Sequence, residues 1–143
     1  MEREKYNETV FESIKKLDES GNEYWEAREL QKVLGYAQWR RFEEVINRAK
    51  IAYEKSNNLD VDYHFAKVGE IMKTGAYSRK IDDFFLSRYA CYLIVQNGGP
   101  NKEIIALGQA YFAIQTRKQE LIQEAYDLLT EDEKRFYQRL KRV

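Results

Sequence analysis

The stretch "YHFAKVGEIMKTGAYSRKIDDFFLS", residues 63–87, decides the fold class. Two β-compatible runs, about 64–73 and 79–86, flank "TGAYS", whose glycine suits a tight turn. The stretch predicts a β-hairpin, set among segments whose apolar spacing is helical. Ser87 at its end is placed to cap the next helix, "RYACYLIVQ", which is apolar nearly all round and therefore central to a core. Asn97-Gly98-Gly99-Pro100 stops that helix, combining glycine caps with a proline that blocks continuation. A long helix is expected over about 101–129, with Ile104/Ile105, Gly108, Tyr111/Phe112, Gln115 and Ile122 as its track. Thr130 with Glu133 has the form of a capping box and predicts a last helix over about 131–142.

Before the hairpin, "SNNLDVD" reads as a loop. From Gln38 to Lys55, Trp39, Phe42, Val45/Ile46, Ala49 and Tyr53 recur every three or four residues, the spacing of an amphipathic helix. A shorter helix, "EARELQKVLG", precedes it, with Ala27, Leu30, Val33 and Leu34 inward and Gly35 as its terminal glycine. "EYW" at 23–25 reads as extended. "NETVFESIKKLDESGN" reads as a helix from an Asn7 cap to a Gly21 stop, with Val10 or Phe11, Ile14 and Leu17 on one face. The fold class expected is α+β, predominantly α-helical: a helix-turn-helix-like pair, a small antiparallel β-hairpin or sheet, and long C-terminal helices. Residues 1–100 are expected to form a compact domain, with 101–143 a helical extension packed on it.

Composition narrows the function classes. A chain of 143 residues with 43% apolar residues is long and apolar enough for one globular domain. One cysteine leaves no disulfide framework and fits a reducing compartment. The longest apolar run, about 89–95, is far short of the ~20 residues of a membrane helix. "MEREKYNETVF" also lacks the apolar core of a signal peptide, so a cytoplasmic location is expected. Net charge is zero, and no global basic field announces nucleic acid. Residues 1–23 are acidic on balance, however, and the middle of the chain is mildly basic.

Three basic groupings stand out. In "LGYAQWRRFEEVINRA" (34–49), Arg40 and Arg41 fall at a helix start, where the macrodipole favours anions over cations. As the second helix of a helix-turn-helix, this segment would bring Gln38, Arg40 and Arg41 to base edges or phosphates, with Arg48 further along the same surface. The plainer reading is two packed helices and a glycine turn, with Glu43 and Glu44 opposing a phosphate backbone. The hairpin tip adds Lys73, Arg79 and Lys80 around Tyr77, a wing able to reach phosphates or stack on a base. Polar loop tips and edge-strand lysines are equally ordinary. The C-terminal cluster of Lys134, Arg135, Arg139, Lys141 and Arg142 complements its own helix dipole.

Signals for catalysis are poor. His64 is the lone histidine, Cys91 sits in an apolar helix, and neither zinc-ligand spacing nor a Walker pattern occurs. Asp82 and Asp83 are paired carboxylates of the kind a metal nuclease uses, yet neighbours on a strand point to opposite faces. No catalytic residue, metal or cofactor is assigned.

Five blocks carry a family resemblance: "YWEARELQKVLGY" (24–36), "INRAK" (46–50), "LSRYACYLIVQNGGP" (86–100), "QAYFAIQTRKQE" (109–120) and "EDEKR" (131–135). On these blocks the sequence resembles the bacterial DNA-damage-inducible protein D family. The first block is also similar to the start of the amino-terminal domain of BRO-type phage and baculovirus antirepressors. The resemblance implies an intracellular, SOS-type role in the response to DNA damage, without a known catalytic motif, and DNA as partner. An interaction module acting on a recombinase or repressor protein is the alternative. Members of that family continue well beyond the point where this chain ends, so nothing contributed by such a further part is carried over.

Overall fold

The computed structural model describes residues 9–56, 60–98 and 102–141. Asn7, Gly99, Pro100 and Arg142, to which the sequence assigns a cap, a helix stop and a charge, lie outside the described residues. Strands β3 (Phe65–Thr74) and β4 (Tyr77–Leu86) run antiparallel in unbroken register from Phe65↔Leu86 to Thr74↔Tyr77. Only two residues remain for the turn. Gly75 takes its first position at φ +62°, the left-handed conformation that tight hairpin turns require.

The hairpin is the larger part of a four-stranded antiparallel sheet ordered β1-β2-β4-β3. Strand β2 (Glu23–Glu26) pairs with β4 through Trp25↔Leu86, and β1 (Lys16–Leu17) pairs with β2. Here the sequence expectation needs correction. Helix α1 (Thr9–Ser13) ends well before Gly21, and Leu17 lies exposed on β1 rather than on a buried helical face. The Asp18 carboxylate accepts the backbone N–H groups of Ser20 and Asn22, and Gly21 adopts φ +84°. These contacts close a turn that delivers the chain into β2.

Helix α2 (Ala27–Val33) follows β2 directly and ends in a Schellman motif. Gly35 N–H donates to the Lys32 carbonyl and Tyr36 N–H to that of Gln31, with Gly35 at φ +81°. Helix α3 (Trp39–Lys55) has the limits its periodicity predicts, and it buries Phe42, Val45, Ile46, Ala49 and Tyr53. One helical turn, α4 (Val61–His64), stands where a loop was expected. Helix α5 (Arg88–Gln96) is central, with Ala90, Cys91, Ile94 and Val95 buried. Helix α6 (Glu103–Asp127) packs its first half on α5 through Ile105, Gly108, Tyr111 and Phe112. Helix α7 (Glu131–Lys141) opens on the expected capping box: Glu133 N–H donates to Thr130 Oγ1, and Thr130 N–H to the Glu133 carboxylate.

One face of the hairpin root carries Phe65, Phe84 and Leu86, joined by Trp25 from β2; all four are buried. Helix α3 lies over this face. Its first residue, Trp39, is 6.4 Å ring to ring from Phe84, and Tyr53 near its end is 6.2 Å from Phe65. Trp25 reaches through the core to Phe112 at 5.2 Å and donates its indole N–H to the Phe11 carbonyl. No helix among the described residues is long and apolar enough to cross a membrane.

Candidate nucleic-acid interface

The sequence-nominated residues fall into two groups. Gln38 is the cap residue of α3, and Arg40 and Arg41 occupy the helix's first turn. That turn holds no acidic residue, and the Gln38 side chain makes no capping hydrogen bond, so the N–H groups at this end are left open. Arg48 lies two turns further on, and helical arithmetic aligns it with Arg41 and Lys55 at seven-residue intervals. All of these side chains are exposed. Among the described residues, none of these arginines forms an ion pair, whereas Glu43 and Glu44 follow on the next positions.

Lys73, Arg79 and Lys80 lie on the outer half of the hairpin, and all three are exposed. Strand alternation divides them. Lys80 and Lys73 (the latter facing Ser78) share the face of Phe84, the one α3 covers at the root. Arg79 points to the opposite face, so it does not join them. The Lys80 stem lies across Gly69, in the space a β-carbon there would fill.

Arg28 links the two groups, a role that no local pattern in the sequence signals. Its guanidinium stacks 3.9 Å over the Trp39 ring while its Nε–H donates to the Asp82 carbonyl. The first turn of α3 is therefore one side chain away from β4, two residues short of Lys80. Lys67 lies on the same face and is balanced by Asp82 at 3.7 Å.

The paired aspartates part company. Asp82 is exposed, whereas Asp83 is fully buried and accepts hydrogen bonds from the Arg28 and Phe84 backbone N–H groups. Asp83 thereby caps α2 from across the fold, and as the strand neighbour of Asp82 it points to the opposite face, so the two carboxylates do not converge. Among the described residues no cluster of three metal-ligating side chains occurs. Burial pushes the Cys91 thiol well above its usual range, opposite to what a nucleophile requires.

His64 has another task. Its Nδ1 meets Ser87 Oγ at 2.6 Å and its Nε2 faces Asp60 at 3.4 Å, while Ser87 Oγ also accepts the Ala90 N–H as cap of α5. Tyr53 donates its hydroxyl to Asp60, which lowers the carboxyl's pKa; burial, reinforced by this contact, pushes Tyr53 up to about 12. The network ties the ends of α3, α4 and α5 together. Replacing Ser87 with alanine is expected to cost about 1 kcal/mol, read as a lower urea midpoint at unchanged slope.

Burial among Tyr53, Tyr63 and Tyr89 lowers the His64 pKa, and Asp60 only partly restores it. The unfolded chain then binds the proton more readily. Stability is complete above the ordinary histidine value of about 6.5 and declines as pH falls from there toward the depressed folded value. His64→Asn should flatten the melting temperature between about pH 7 and 5 relative to the parent; parallel curves would remove His64 from the account. The open groove beside this network, about 450 Å3, offers no free cation from Arg88, whose guanidinium is paired with Glu23.

Compared with known proteins, residues 13–113 match the N-terminal domain of the BRO family, and the chain belongs to that family. It is also 50% identical over 131 residues to DNA damage-inducible protein D of Escherichia coli (strain K12). That match covers 90% of this chain and 47% of the relative, so the chain spans about half the length of the curated relative it matches. No solved structure matches.

Proposed function

We propose that this chain is a non-enzymatic DNA-binding protein of the damage response, using α2 and α3 as a helix-turn-helix and the hairpin as a wing. The observation that carries the reading is the first turn of α3: two exposed, unpaired arginines, open N–H groups and no acid. Such an end attracts phosphate through both charge and dipole. Arg28 supports a single contact surface, because it holds this turn against the strand that leads to Lys80. The similarity to a damage-inducible protein supports DNA as the anion. Gln38, Arg40, Arg41 and Arg48 then line one part of the surface and Lys73 and Lys80 the other, with Arg79 reaching the far side of the wing.

Binding to labelled single- and double-stranded DNA across a salt series tests this. The double variant Arg40→Ala/Arg41→Ala is expected to weaken binding by roughly tenfold or more at low salt. It should also flatten the log–log salt slope by up to about 1.8, at ~0.9 per lost phosphate contact. An unchanged midpoint, or no binding by the parent protein at low salt, would overturn the proposal.

A further inference from the structure

The outer half of the hairpin is a two-stranded ribbon exposed on both faces. From Ile71 to Ile81 it holds Lys73, Arg79 and Lys80 and no acidic residue. The register sets Ile71 opposite Lys80 and Lys73 opposite Ser78, so these four side chains share one face. All four are exposed, and among the described residues the hairpin's only ion-paired cation is Lys67, nearer the root. This is the face that α3 covers at the root. Trp39, at the α3 start, packs near Phe84, and Tyr53, toward its end, near Phe65; the register puts Phe84 two residues closer to the tip. The start of α3, with Arg40 and Arg41, therefore rises as a step at the inner end of an open, basic face.

We propose that Ile71, Lys73, Ser78 and Lys80 read base edges in the major groove of duplex DNA, while α3 meets the flanking phosphates with its end alone. This rests on the DNA-binding reading above and assigns the sequence-reading element within it. A ribbon whose strands lie about 4.8 Å apart enters a groove about 12 Å wide. Ile71 carries the argument. Cations alone would suit phosphates, but Ile71 is 73% exposed on the same face and has nothing to gain from a phosphate. The thymine methyl is the apolar feature that the major groove presents. Beside it, lysines donate to guanine O6 and N7, and a serine hydroxyl serves either kind of pair. Residues two apart on a strand are separated by about 6.8 Å, or two base-pair steps, so the two cross-strand rows address base pairs two steps apart. Helix α3 is the poorer reader. Laid lengthwise in the groove, it would bring Glu43 and Glu44 between two rows of phosphates. Tyr77 and Arg79 lie on the opposite face of the ribbon and point away from the bases.

Selection from a pool of random-sequence duplexes, followed by titration of a selected duplex against a scrambled one, tests the assignment. The parent protein is expected to prefer the selected duplex. Ile71→Ala/Ser78→Ala changes no charge and touches two exposed positions. It should lower that preference about tenfold, with melting temperature and salt slope unchanged. Arg40→Ala/Arg41→Ala should weaken binding to both duplexes alike and keep the preference, and Arg79→Ala should keep it too. Uracil in place of thymine removes only the major-groove methyl, so it should lower the preference of the parent but not of Ile71→Ala. A preference that survives Ile71→Ala/Ser78→Ala, or that disappears with Arg40→Ala/Arg41→Ala, overturns the proposal and returns base reading to the helix. Equal preference of the parent for thymine and uracil duplexes also overturns it. A parent that binds every duplex alike, or single strands alone, overturns it while the DNA-binding reading stands; binding to neither removes both.

Discussion

Trp25→Ala is expected to lower the unfolding free energy by about 3–5 kcal/mol, the range for emptying a large aromatic site in a packed core. Trp25 is fully buried, meets Phe112 edge to face at 5.2 Å, and sits in the sheet row that pairs with Leu86. Its indole N–H also takes up the Phe11 carbonyl, at 2.9 Å. Truncation therefore removes apolar contact and orphans a buried acceptor together. Trp25→Phe separates these effects, since it retains much of the ring volume and loses only the donor. It should cost clearly less than Trp25→Ala, and chemical denaturation of the three proteins at constant slope gives both differences. Equal losses for Phe and Ala would place the whole effect in the hydrogen bond. A total of 3–5 kcal/mol is a large share of the stability of an ordinary domain, so Trp25→Ala should be substantially unfolded near body temperature.

The second large effect is expected at Asp83. Asp83→Leu should destabilise by about 2–4 kcal/mol, because it leaves the Arg28 N–H at the start of α2 without an acceptor in a buried setting. The loss is partly offset, since the second carboxylate oxygen, Oδ2, is buried with no partner and its desolvation cost disappears with the side chain. Asp83→Asn retains an acceptor oxygen for Arg28 and should lose about 1 kcal/mol or less. An equal loss for Asn and Leu would mean that the charge, rather than the acceptor, holds the α2 start. Under this account the residue's importance is architectural, and neither change at Asp83 should alter the salt slope of DNA binding in protein that remains folded.

The reach of sequence reading differed between parts of the chain for physical reasons. Helix α3, the hairpin with its Gly75 turn, the Ser87 cap and the Thr130–Glu133 box were all legible, because each rests on contacts between residues close in sequence. Strand β1 was not. Lys16 and Leu17 continue the helical apolar spacing of α1, and only pairing with Glu23 and Tyr24 makes them a strand. Ion pairs from Lys16 to Glu26 and Glu29 reinforce that choice across a gap no local pattern reveals. The same limit applies to the candidate interface. The arginines at the α3 start are visible as a conflict with the dipole, whereas Arg28 acquires its role from Trp39 and Asp82, one of them 54 residues away. The division of Lys80 from Arg79 was available from strand alternation, but it gained meaning once Phe84 showed which face α3 covers.

Gly108 sets the direction of everything beyond it. A β-carbon there would approach Phe11 Cζ and Val95 Cγ1 to 3.2 Å, so the missing methyl is what lets α6 lie this close to α5 and α1. From Gly108 to the end of α6 the helix runs about 28 Å at 1.5 Å per residue. It acts as a lever whose short arm is pinned inside the core. A shift of a few tenths of an ångström at the pivot, resisted over a single turn, swings Leu128 by an ångström or more. An alanine at 108 would require Phe11 and Val95 to yield by a few tenths of an ångström, and whatever they do not yield is passed along the lever to the far helices.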